Sequence, residues 1–157
     1  LRRLEAEVLV DALCQITGTT EQYSSIIPEP YTFMPEEQRA VALADASITS
    51  PFLEKFGRSS RDSGLESDRN NRPTAAQRLH LLNSSHIRQK IQKGPKIQEV
   101  LTSTDSQQMA ETLYLAILSR RPTNEERDDV GWQCDSKWGA ENLVWALFNS
   151  EEFLFRH

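Results

Sequence analysis

Apolar residues recur at helical spacing through most of the chain. Leu1, Leu4, Val8, Ala12 and Ile16 share a face and Gly18 follows them. This predicts a helix of about four turns, closed by a residue that tolerates positive φ. Residues 19–39 carry Pro28, Pro30 and Pro35 around Tyr31 and Phe33. That predicts an irregular connection whose aromatics pack on the core. Val41 to Ile48 alternates weakly and reads as one short strand or an extended segment. Ser50-Pro51 can cap and open a short helix in which Phe52, Leu53 and Phe56 share a face, and Gly57 can end it. Thr74 opens the next helix with Gln77 at the capping-box position, and Leu79 and Leu82 are expected to face inward. Asn83-Ser84-Ser85 interrupts or re-caps it. Ile87 and Ile91 continue to Gly94-Pro95, and Ile97, Val100 and Leu101 add one or two turns.

The last third is punctuated more sharply. Asp105 or Ser106 caps a helix with Met109, Leu113, Ala116 and Ile117 on its apolar face, ending near Ser119. Thr123 and Glu126 form a second capping box and start a helix toward Cys134. Trp138-Gly139 reads as a break. Leu143, Val144, Leu147 and Phe148 form one further face, and Ser150 caps a last turn with Phe153 and Leu154. The pattern predicts an all-α fold, a compact bundle of about six to eight short helices with long irregular loops, forming a single helical domain over residues 1–157.

One stretch departs from this pattern. Between Gly57 and Gln77 the chain carries Arg58, Arg61, Arg69 and Arg72 alternating with Asp62, Glu66 and Asp68, and Leu65 is the one sizeable apolar side chain from Arg58 to Arg72. Arginine's planar fork suits bidentate carboxylate pairing, so the segment can fold onto the helices through its own ion pairs. The same groups can instead form an anion or glycan site, since loops often carry function.

Bulk properties narrow the possible functions. The 157 residues carry a net charge of −5, with 38% hydrophobic and 26% charged positions. The charge is spread along the chain with no basic stripe, which argues against a nucleic-acid partner. No apolar run is long enough to span a membrane and no signal peptide is visible. The chain begins inside an amphipathic pattern, as a piece of a longer protein would. Cys14 and Cys134 have no CxxC partner and read as free thiols. His80, His86 and His157 are too scattered to predict a metal site, and no haem-attachment sequence occurs, so neither a metal nor a cofactor is expected in this chain. Trp132, Trp138 and Trp145 are expected to pack in the core, the alternative being exposed indole faces that serve as sugar platforms, and Trp145 falls off the Leu143–Leu147 face toward solvent or a partner.

Four pieces in order carry a family resemblance: Pro51-Phe52-Leu53-Glu54-Lys55-Phe56-Gly57-Arg58; Glu66-Ser67-Asp68-Arg69 with Pro73-Thr74-Ala75-Ala76-Gln77; Leu79-His80-Leu81-Leu82-Asn83; and Leu113 to Thr123 followed by Leu143 to Phe153. From Arg2 to Phe155 the chain resembles the C-terminal part of domain of unknown function family 1553, found after a surface-cytochrome-like region in large planctomycete proteins. The resemblance implies a periplasmic or cell-surface setting and a multidomain protein, with a haem-binding domain elsewhere in the polypeptide. It implies no activity. Many members place cysteines at the positions of Leu65 and Ser67; this chain has neither, so no loop thiol chemistry carries over.

The function expected is an interaction or structural module of a larger exported protein, with other domains of the same polypeptide or a surface protein as partners. The alternative is a ligand-binding, glycan-binding or hydrolytic domain with its site at the polar loop, residues 58–80. Its candidate residues are Arg61, Glu66 and Arg69 beside Gln77 and His80. On a helix Gln77, His80 and Asn83 form a polar stripe, and Glu66 brought close could orient the imidazole for acid–base work. His86 falls outside that stripe.

Overall fold

The computed structural model describes residues 2–25, 27, 34–44, 47–58, 72–103 and 105–156. Among them the chain forms nine α-helices, the last a single turn. They are α1 (Ala6–Thr17), α2 (Pro51–Lys55), α3 (Ala75–Asn83), α4 (Ser85–Lys93), α5 (Pro95–Val100), α6 (Ser106–Leu118), α7 (Asn124–Val130), α8 (Lys137–Phe148) and α9 (Glu151–Leu154). The mostly helical bundle expected from the periodicity is present. Two small antiparallel pairs accompany it. β1 (Arg2–Arg3) pairs with β4 (Phe155–Arg156), and β2 (Ser24–Ser25) pairs with β3 (Ile48–Thr49).

The helix boundaries follow side-chain chemistry. Ser50, Thr74, Ser84, Asp105, Thr123, Ser136 and Ser150 each accept a hydrogen bond from a first-turn backbone N–H. Each satisfies a donor that the helix itself leaves unpaired. Both capping boxes are complete, with Gln77 and Glu126 returning bonds to the caps. Gly18 ends α1 in the left-handed region.

One connected core joins the helices. Leu9, Val10 and Leu13 of α1 meet Phe52, Leu53 and Phe56, together with Ile87, Ile91, Leu113, Val144 and Phe148. The face expected for α1 is rotated. Leu4, Val8, Ala12 and Ile16 are only half-buried, while Ala6, Leu9, Val10 and Leu13 are buried. α1 packs against α2, α4, α5 and the Ala40–Ala42 turn, so it is covered on more than one side. Three other expectations change. Residues 40–42 form a tight 3-10 turn, and among the described residues of this stretch Ile48–Thr49 pairs as a strand. Trp138 and Gly139 lie inside α8, whose start is fixed by Ser136. Trp132 and Trp138 are 68% and 75% exposed, and Trp145 is half-buried against the core. Tyr31 and Phe33 lie outside the described residues.

Candidate functional site

Of the five candidate site residues, Arg61, Glu66 and Arg69 lie outside the described residues. Gln77 and His80 sit on α3 and have different surroundings.

Gln77 is 5% exposed. Its Oε1 accepts from the Thr74 backbone N–H at 3.0 Å and from the Arg3 guanidinium, and its Nε2 donates to the Lys55 carbonyl at 2.8 Å. Arg3 also donates to the Phe56 carbonyl at 2.7 Å and lies over the Phe56 ring. One amide therefore joins the start of the chain, the end of α2 and the start of α3. Beside it a cleft of ≈ 300 Å³ is lined by Arg3, Phe56, Gln77, Leu81, Leu82 and Phe155, among others. The exposed side of α3 is unexpectedly apolar. Leu79 and Leu82 are 60% and 51% exposed, and Ala75 and Ala76 are exposed with them. The sequence expectation had these leucines facing inward; Gln77 and Leu81 take the buried face instead.

His80 stands edge-on to the Phe52 and Phe56 rings. Its Nδ1 is 3.3 Å from the Lys55 Nζ, which can donate only to a neutral imidazole. Its Nε2 is buried with no partner among the described residues. Burial first, then the Lys55 charge and His86, push its pKa down to about 4. A base that weak is poorly matched to acid–base catalysis near neutral pH. The linked effect on stability follows from the direction of the shift. The unfolded imidazole takes up its proton near 6.5 and the folded one only near 4. Stability is therefore lost as pH falls through that interval. Discounted for partial exposure, the native protein should lose about 1–2 kcal/mol between about pH 7 and pH 4.5. Urea unfolding of a His80→Gln variant should show a flatter dependence over the same range.

His86, set outside the polar stripe by sequence, is brought beside His80, with ring centroids 5.8 Å apart. Its Nε2 lies 2.8 Å from Glu21 Oε2. Lys90 Nζ reaches the same carboxylate oxygen at 3.0 Å and also donates to the Thr20 carbonyl at 2.9 Å. Lys90 is buried, and its bond to Cys14 Sγ spans 3.2 Å. Burial raises the Glu21 pKa, but the His86 hydrogen bond and the Lys90 charge outweigh it, leaving the carboxyl below its usual range. Burial dominates at Cys14 and raises its thiol pKa despite Lys90, which does not suit a nucleophile. Both cysteines are free.

The same use of charge recurs on α1 and at the C-terminal end. Glu7 faces Arg58, which donates to the Ile48 carbonyl, and Asp11 accepts from the Ala40 and Val41 N–H groups. Arg120 spends all five donors: two pairs of bonds to Glu126 and Glu152, and one to the Arg121 carbonyl. Its hydrogen bonds, with that of the Thr123 backbone, hold the Glu126 carboxyl down at about 2. Sequence reading recognised Glu126 as a capping-box residue; its second role depends on an arginine just before the helix. Among the described residues no group of three or more His, Cys, Asp or Glu could hold a metal ion, and no helix is long and apolar enough to cross a membrane.

Fold and site together define a class: a mostly helical protein whose buried ionic groups anchor its own loops. Residues 1–131 match the family described as protein of unknown function DUF1553, and the chain belongs to that family. The match stops short of residues 143–153, which the resemblance had included. No curated protein and no solved structure matches the chain.

Proposed function

We propose that the chain is an interaction or structural module of a larger exported, extracytoplasmic protein, docking another domain of the same polypeptide. The observation that carries this reading is the outward apolar face of α3, where Leu79 and Leu82 are more than half exposed. A helix normally turns such a stripe toward a neighbour. The cleft at its side is also lined by Arg3 and Phe155 of the paired terminal strands. A domain attached at either end would therefore lie beside α3. The polar groups nearby support docking over catalysis, because both ends of the Gln77 amide are already used. By family resemblance, a haem-binding domain is one such neighbour.

Cysteine labelling tests this directly. A Leu79→Cys variant should react rapidly with iodoacetamide in the 157-residue chain. In the longer polypeptide labelling should slow at least about tenfold, equivalent to about 1.4 kcal/mol of docking free energy. Equal rates in the two contexts would remove the docking reading.

A further inference from the structure

A second cleft, of ≈ 280 Å³, lies between α4 and α8. Trp138 and Trp145 line it from α8, seven residues and therefore about 10 Å apart along the axis. Between them α8 contributes Glu141 and Asn142, and α4 contributes Arg88 and Gln92. None of these four polar side chains has a hydrogen bond or ion pair among the described residues. This contrasts with Gln77, Lys90 and Arg120, whose polar groups are committed internally. Trp138 is the most exposed large apolar side chain among the described residues. Leaving an indole in water beside four free hydrogen-bonding groups has no evident structural benefit.

The two kinds of group suit one kind of ligand. An indole face stacks on the apolar C–H face of a sugar ring, and its N–H offers a donor. A sugar hydroxyl both gives and accepts a hydrogen bond, and each planar amide of Gln92 and Asn142 does the same. Arg88 adds donors and Glu141 adds acceptors, and their opposite charges cancel across the cleft. That balance gives an anionic ligand no net attraction. Rings that far apart suit alternate units of a sugar chain rather than a single ring. We propose that the α4–α8 cleft binds a neutral oligosaccharide, stacked on Trp138 and Trp145 and hydrogen-bonded by Arg88, Gln92, Glu141 and Asn142. A proline-rich peptide would also stack on the rings, but it offers carbonyl acceptors and few donors, leaving Glu141 without a partner. Leu82 of α3 borders the cleft, but none of the groups assigned to the sugar lies on α3, so the proposal does not depend on the docking reading.

The test titrates the full chain with cellotriose, maltotriose and N,N′,N″-triacetylchitotriose, read by tryptophan fluorescence and calorimetry. At least one should saturate below about 10 mM, a range that weak single-site binding can occupy. Trp138→Ala should weaken that binding at least about tenfold, as expected for a central aromatic contact. A Gln92→Ala/Asn142→Ala double variant should weaken it as well, while Trp132→Ala, outside the cleft, leaves it unchanged. Circular dichroism of each variant separates lost binding from lost fold. Three outcomes would each overturn the proposal: no saturation by any of the three sugars, equal losses at Trp132 and Trp138, or binding of decaproline without binding of sugar.

Discussion

Replacing Gln77 with Leu should destabilise the protein by about 3 kcal/mol, because the change leaves a buried cation without one of its acceptors. The substitution nearly conserves volume, so no large cavity contributes. The cost is electrostatic. Gln77 Oε1 accepts from Arg3, which is 4% exposed, and Nε2 satisfies the Lys55 carbonyl at the end of α2. A hydrogen bond to a charged group contributes about 1.5–3 kcal/mol, and an orphaned buried acceptor costs about 1–3 kcal/mol more. Relaxation recovers part of that sum. For a chain of this size the loss corresponds to a fall in Tm of about 6–12 °C. Gln77→Glu should lose less. A carboxylate still accepts from Arg3 and from the Thr74 N–H, and gives up only the donor to Lys55. The pair of variants distinguishes a fold anchor from a ligand contact. An unchanged Tm for Gln77→Leu, measured by calorimetry, would show that the amide is free for another use.

The contrast between Gln77 and its neighbours shows how far the sequence could be read. Helix starts were legible because a cap is local: a hydroxyl or carboxylate and an N–H two or three residues later, as at Ser50, Thr123 and Ser150. Faces were less legible where the partner is distant. Periodicity on α3 favours Leu79 and Leu82 as the buried pair, but Arg3 arrives from 74 residues away and draws Gln77 inward. On α1, Glu7 and Asp11 interrupt the apolar pattern because each anchors a remote segment, and they make the helix look less buried than it is. The role of His86 is hidden in the sequence for the same reason. Its partner Glu21 is 65 residues distant, and its approach to His80 depends on the turn at Ser84 between α3 and α4. The candidate site was legible only in part: Gln77 and His80 are close to the chain crossing the structure shows, and Arg61, Glu66 and Arg69 lie outside the described residues.

At Gly139 a single added methyl group should be costly. The sequence suggested a helix break there, because glycine is a poor helix former. Instead α8 runs through it, and the reason is a close approach. A Cβ at Gly139 would lie 2.0 Å from the Gln133 carbonyl oxygen and 3.1 Å from Ser136 Oγ. The first contact is backbone, so a rotamer change cannot relieve it. Either the 3-10 turn Gly131–Asp135 or the start of α8 must shift. That shift would disturb the Ser136 cap, whose Oγ accepts from the Gly139 N–H at 3.0 Å, and the buried Cys134 and Ala140. Overpacking of about 1–3 kcal/mol and a lost cap of about 1 kcal/mol exceed the gain in helix propensity of about 1 kcal/mol. Gly139→Ala should therefore lose about 1–3 kcal/mol in urea unfolding. Gly131→Ala is the matched control. Its backbone is already helical, and a Cβ there meets only Gln107 Cγ, at 3.9 Å. With space available and unfolded-state entropy reduced, it should gain about 0.5 kcal/mol. Opposite signs at two glycines eight residues apart would confirm that the Gln133–Gly139 contact fixes the start of α8 and, with it, the position of Trp138. Equal effects would mean that α8 is positioned by its apolar face alone.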